Sequence, residues 1–161
     1  MSKRNIPKAG TYFSLPLDGQ YVAGRILTAT PLYSLVAIYE RRWSEPRSAA
    51  EIHRSSKGRV LFRHVYTWPA FGRKGWKLLE RVPLGRSYRF PTFRLGIAAD
   101  GFFRAKTGKQ KVRRISVEEG KRYSPIIMFS PDMIEERLRK EGFGPWPEFE
   151  QDYREEFGDR N

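Results

Sequence analysis

Six cationic side chains, Arg104, Lys106, Lys109, Lys111, Arg113 and Arg114, crowd into eleven positions directly after Phe102 and Phe103. Lysine and arginine alternating with aromatic rings on strands is an arrangement that holds single-stranded nucleic acid. The rings stack on bases while the cations follow the phosphates. Two other readings remain open. The same charges would suit an acidic protein partner, or they could form a solvated strand edge whose repulsion deters pairing. A second group, Trp68, Phe71, Arg73 and Lys74, falls in a turn-rich connector. It reads as core plus rim, and where exposed it would provide the Trp and Arg anchors that dominate binding hot spots.

Catalytic chemistry finds little to stand on. The two histidines, His53 and His64, are eleven positions apart, and neither has a second histidine or an acid at metal-ligand spacing. His64 alternates with Val60 and Phe62, which reads as a half-buried structural residue. The chain has no cysteine, which removes disulfides, thiolate zinc sites and cysteine nucleophiles together. No Gly-x-Ser-x-Gly elbow occurs. The adjacent acids Glu118-Glu119, Glu135-Glu136 and Glu155-Glu156 point in different directions and read as solvated surface. Gly101 and Gly108-Lys109 mimic a phosphate loop, but six residues separate the glycines where four are needed. Gln110 also replaces the hydroxyl that would hold magnesium. The expectation is a protein that is not an enzyme, with no catalytic residue, cofactor or metal.

Charge is distributed unevenly. The last 31 residues hold ten acids against five bases, a net of −5, so the 130 residues before them carry +18 within an overall +13. This predicts a basic β-rich body over 1–130 and an acidic helical segment over 131–161, packed on the same single domain. Such asymmetry speaks to partners and association rates. With 161 residues, 39% of them hydrophobic and 14% aromatic, a sizeable core is expected. No apolar run approaches the ~20 residues of a membrane span, and Met1-Ser-Lys-Arg-Asn5 has no apolar stretch behind it. A cytoplasmic protein with no membrane partner is expected.

The elements that must position these groups begin with a hairpin. Asp18-Gly19 supplies the positive-φ pair of a two-residue type I′ turn, flanked by apolar alternation. This register pairs Leu17 with Gln20, Leu15 with Val22 and Phe13 with Gly24, and places Pro16 opposite Tyr21. Because Pro16 cannot donate on its far side, this first strand is expected at a sheet edge. Residues 33–39 suit a central strand. Residues 47–53 suit a short helix or an exposed loop, and strands are expected over 59–67 and 76–82. Asp100-Gly101 signals a second hairpin. Ser130-Pro131 looks like an N-cap and first helical residue, with Gly142 ending the helix and Phe143 reaching Leu138. A second helix from about Pro147 would align Phe149, Tyr153 and Phe157. The fold class is α+β: a curved, mostly antiparallel sheet of six to eight strands, approaching a barrel, with two C-terminal helices.

The order Gly10, Phe13, Pro16-Leu17-Asp18-Gly19, Gly24-Arg25, then Gly75-Trp76-Lys77-Leu78 and Pro91-Thr92-Phe93 resembles the immunity protein 26 family, over about the first 95 residues. The family consists of small bacterial proteins associated with polymorphic-toxin loci. The resemblance implies a non-catalytic protein that binds and silences a cognate toxin in the producing cell's cytoplasm. The alternative reading of the residues themselves is a nucleic-acid-binding β-barrel protein, and weak non-specific nucleic-acid binding is expected from the charge.

Overall fold

The computed structural model describes residues 6–56, 62–68, 71, 75–96, 100–144 and 146–149. Two compact units emerge. One comprises residues 1–88 and 128–143, the other residues 89–127 and 144–161.

The first unit is built on β1 (Thr11–Leu17), β2 (Gln20–Ala29), β3 (Ser34–Trp43), β4 (Phe62–Thr67) and β5 (Lys77–Arg81). Its helix α1 (Ala49–Ser55) lies between β3 and β4 in sequence. Asp18 and Gly19 take φ of 52° and 76°, as the type I′ turn requires. The hairpin register is the expected one, with Leu17 opposite Gln20, Leu15 opposite Val22, Phe13 opposite Gly24 and Pro16 opposite Tyr21. β3 pairs with both β2 and β4, so the apolar run at 34–39 is central and buried.

One expectation fails. β1 is not an edge, because β5 pairs with it through Thr11, Phe13 and Ser14. The ladder stops at Ser14, two residues short of Pro16, so the missing N–H is never asked for. Gly75, at φ 78°, brings the chain against the Pro16 ring, where a Cβ would sit 3.3 Å from Cγ.

Residues 47–53 resolve in favour of the helix. Ser48 caps α1, its Oγ accepting from the Glu51 N–H at 3.3 Å while its own N–H donates to Glu51 Oε2 at 2.9 Å. Ala49 and Ile52 bury against Tyr12, Ala23, Tyr39 and Trp43. On the opposite face of β1, Phe13 stacks on Trp76 with ring centroids 5.3 Å apart and planes 5° apart. The short strand β10 (Met128–Phe129) and helix α3 (Pro131–Lys140) complete this unit. β10 pairs in parallel with β4, giving the order β10-β4-β3-β2-β1-β5. Ser130 caps α3 with Pro131 at its start, as expected, and Gly142 follows at φ 61°. Glu135 of α3 accepts a hydrogen bond from Trp76 Nε1 at 2.8 Å, and Arg42 Nη2 donates to the Leu138 carbonyl at 2.6 Å.

The second unit contains β6 (Thr92–Leu95), β7 (Phe103–Thr107), β8 (Arg113–Ile115), the single-turn α2 (Val117–Gly120) and β9 (Ser124–Pro125), its strands ordered β8-β7-β6-β9. Its core gathers Phe103, Ala105 and Ile115 against Val117 and Tyr123. Gly120 lies under Phe103, where a Cβ would be 2.6 Å from the ring.

The structure is therefore α+β and mostly antiparallel, but the described residues form ten strands in two sheets where one sheet of six to eight was expected. Neither sheet closes into a barrel, since each order ends on two different edge strands. The separation has a local cause. Between β5 and β6 the chain carries Pro83, Gly85 and Pro91, and neither proline can donate to a ladder. Of the second C-terminal helix, residues 147–149 are helical. Tyr153 and Phe157 lie outside the described residues.

Candidate functional site

Strand pairing sorts the six clustered cations between Arg104 and Arg114. Phe103 pairs with Ile115, Arg104 with Arg114 and Ala105 with Arg113. Direct cross-strand partners share a face, so Arg104 and Arg114 stand side by side, a repulsive juxtaposition on its own. Asp100 relieves it. Its Oδ2 sits 2.9 Å from Arg104 Nη2 and 3.4 Å from Arg114 Nε, and the Arg104 hydrogen bond leads in lowering its carboxyl pKa. Arg114 also lies over the exposed Phe102 ring, 3.4 Å from its centroid. Arg113, on the other face, pairs with Glu119 at 2.6 Å, and this bond holds the Glu119 pKa down.

Lys106 lies opposite Phe93 in β6, while Lys109 and Lys111 are exposed in the turn between β7 and β8. Neither turn lysine has an ion-pair partner among the described residues. The six cations are thus three arginines shared between two acids, Lys106 on β7, and a protruding pair of turn lysines.

In the first unit, Trp68 leaves 48% of its surface exposed although its backbone N–H is fixed to the Phe129 carbonyl at 3.2 Å. Phe71 is half-buried, its ring edge-on to Phe13 and Trp76 at 5.3 and 6.1 Å. Arg73 and Lys74 lie outside the described residues. The acids of α3 are engaged locally. Glu136 pairs with Lys140 at 2.5 Å, Glu141 with Arg137 at 3.3 Å, and Arg139 reaches both Glu135 and Asp18. The consecutive acids do diverge, Glu118 going to Lys121 and Glu119 to Arg113.

A polar group inside the first unit escaped the sequence reading. Arg25 of β2 is buried between Tyr12 of β1 and Ala37 of β3. Its Nη2 donates to the Val82 and Pro83 carbonyls at 2.6 and 3.1 Å. Tyr12 shares a hydrogen bond of 2.8 Å with His53 Nδ1, and its ring lies 6.1 Å from that of Tyr39. Burial raises the pKa of Tyr39 and of Tyr88, whose ring is 6.0 Å from the guanidinium. The available signal was register: the Asp18-Gly19 hairpin puts Arg25 opposite Tyr12, on the face it shares with Ser14 and Ala23.

His64 pairs with Ala37 in the next strand, and burial pulls its pKa down to about 4. The unfolded chain would take up this proton near pH 6.5. Stability present above pH 6.5 is therefore lost as pH falls towards 4. His64→Gln is expected to remove about 2 kcal/mol of the stability difference between pH 7 and pH 4.5. Urea unfolding at the two pH values checks this, and an unchanged difference would mean that His64 protonates freely in the fold.

Among the described residues, no three acids or histidines are grouped as a metal would need. No described helix is long and apolar enough to cross a membrane. These units define a mixed α/β protein on open, mostly antiparallel sheets, with a charged strand pair on its surface. The chain belongs to the immunity protein 26 family, whose model matches residues 8–101. Membership places it among immunity proteins, which act against toxins. Neither a curated protein nor a solved structure matches the chain.

Proposed function

We propose that this protein is a non-catalytic immunity protein that captures a cognate bacterial toxin in the cytoplasm by direct protein–protein contact. The observation that carries the reading is the family match over residues 8–101. The match ends where the basic strands begin, so the charged surface of β7 and β8 is distinct from the shared scaffold. Lys109, Lys111 and the Arg114–Phe102 pair offer an acidic toxin surface both charge and a ring. Arg104, Lys106 and Arg113 border them. Trp68, with Phe71, Arg73 and Lys74 nearby in sequence, is a second contact region on the first unit.

Protection at low cellular concentrations needs nanomolar affinity, about −12 kcal/mol, and an interface of roughly 1,200–2,000 Å². Co-expression with the toxin encoded beside it is expected to rescue growth, and the two proteins should co-purify. Trp68→Ala should weaken the complex about 30-fold, or ~2 kcal/mol, at an unchanged melting temperature, because the ring is exposed while the backbone is held. Protected cells without a recoverable complex would exclude direct capture.

The exposed Phe102 among cations also favours a second reading, nucleic-acid binding through β7 and β8. Non-specific binding should lie in the range of about 10⁻⁴–10⁻⁶ M and disappear with salt. Sequence-selective binding that survives physiological salt would make nucleic acid the partner.

A further inference from the structure

Arg25 is only 6% exposed, yet no carboxylate among the described residues pairs with it. Its partners among the described residues are all neutral. Two backbone carbonyls accept from Nη2, and the Tyr12 and Tyr88 rings lie 5.0 and 6.0 Å from the guanidinium carbon. Its Nε is buried and donates to nothing. A buried guanidinium keeps its charge, and its lost hydration is offset fully only by an anion that meets its fork of donors. Phenol rings stand beside it, of which the Tyr12 hydroxyl is already bonded to His53 Nδ1 and the Tyr88 ring lies 6.0 Å from the guanidinium. Tyr12 and Tyr39 lie on the same face, and Tyr12 is tied to His53 of α1. β3 contributes only the small Ala37 beside Arg25.

We propose that Arg25 anchors an oxyanion-binding site on the Tyr12 face of the six-stranded sheet, taking a carboxylate or phosphate group. The anion accepts from Arg25 Nε and from the Tyr88 phenol. The two carbonyls take both Nη2 hydrogens and hold the guanidinium in place, so the unpartnered Nε is oriented before the ligand arrives and binding costs little ordering. This site is separate from the toxin-binding reading and does not depend on it.

The test is thermal unfolding of the full chain at pH 7 in sodium chloride, sodium phosphate and sodium acetate at matched ionic strength. At least one oxyanion should raise the melting temperature saturably over chloride, by about 5–10 °C at a hundredfold excess over Kd. A response to phosphate alone assigns a phosphoryl ligand, and a response to acetate alone assigns a carboxylate. Arg25→Lys, which keeps the charge but loses the fork, should abolish the shift. Tyr88→Phe, which keeps the ring, should raise the apparent Kd about fivefold. The double variant Lys109→Gln/Lys111→Gln should leave the shift intact. Equal melting temperatures in the three salts would overturn the proposal. So would a shift that survives both Arg25→Lys and Tyr88→Phe, or one that vanishes with the two surface lysines.

Discussion

Gly24→Val is expected to lower the melting temperature by about 6–12 °C, corresponding to about 3 kcal/mol. A Cβ at position 24 would lie 2.2 and 2.6 Å from Phe13 Cζ and Cε1, and 2.7 Å from the Ala37 carbonyl oxygen. Phe13 cannot withdraw, since Trp76 stacks on it and Phe71 meets it edge-on. The carbonyl belongs to the central strand and is equally fixed. Two rigid neighbours put the cost at the upper end of the overpacking range, and Gly24→Ala should already show part of it. A melting curve of Gly24→Val that overlays the parent protein would mean that Phe13 does not cover Gly24.

Reversing the charges of the protruding turn should have the largest functional effect. The triple variant Lys109→Glu/Lys111→Glu/Arg114→Glu is expected to weaken the toxin complex at least 100-fold, about 2.7 kcal/mol. Much of the loss should appear in the association rate and in its salt dependence, because exposed charges steer encounter. Folding should be spared. The lysines are exposed, and Asp100 keeps its closer partner Arg104 when Arg114 is replaced. Binding kinetics at two ionic strengths, with a melting curve for each variant, read both effects. An unchanged dissociation constant would move the interface away from β7 and β8.

The sequence exposed the parts of this molecule that local chemistry fixes. Asp18-Gly19 dictates its own turn, the turn dictates the register, and the register puts Phe13 over Gly24. Ser48-x-x-Glu51 and Ser130-Pro131 mark helix starts because capping is a short-range hydrogen-bonding problem. What was not legible depended on residues far apart in the chain. β5 reaches β1 across some sixty residues and ends the ladder before Pro16, so a proline that argued for an edge argued only for a short partner. The basic cluster was visible as composition, but the two acids that offset its three arginines, Asp100 in the turn before β7 and Glu119 on α2, meet them only in the fold. Arg25 was visible as a residue, and its lack of an acidic partner among the described residues only as a structure.

The first unit is written in two pieces, residues 1–88 and 128–143, with 39 residues between them. At about 5–20 residues per second, a ribosome needs roughly 2–8 s to cross that interval. During it, β1 to β5 have been made but β4 has no β10 beside it, and neither Glu135 nor Leu138 exists to hold Trp76 and Arg42. The sheet's last strand and its closing helix arrive only after the strands of the second unit have been made. A nascent chain stalled before Met128 therefore cannot complete this unit.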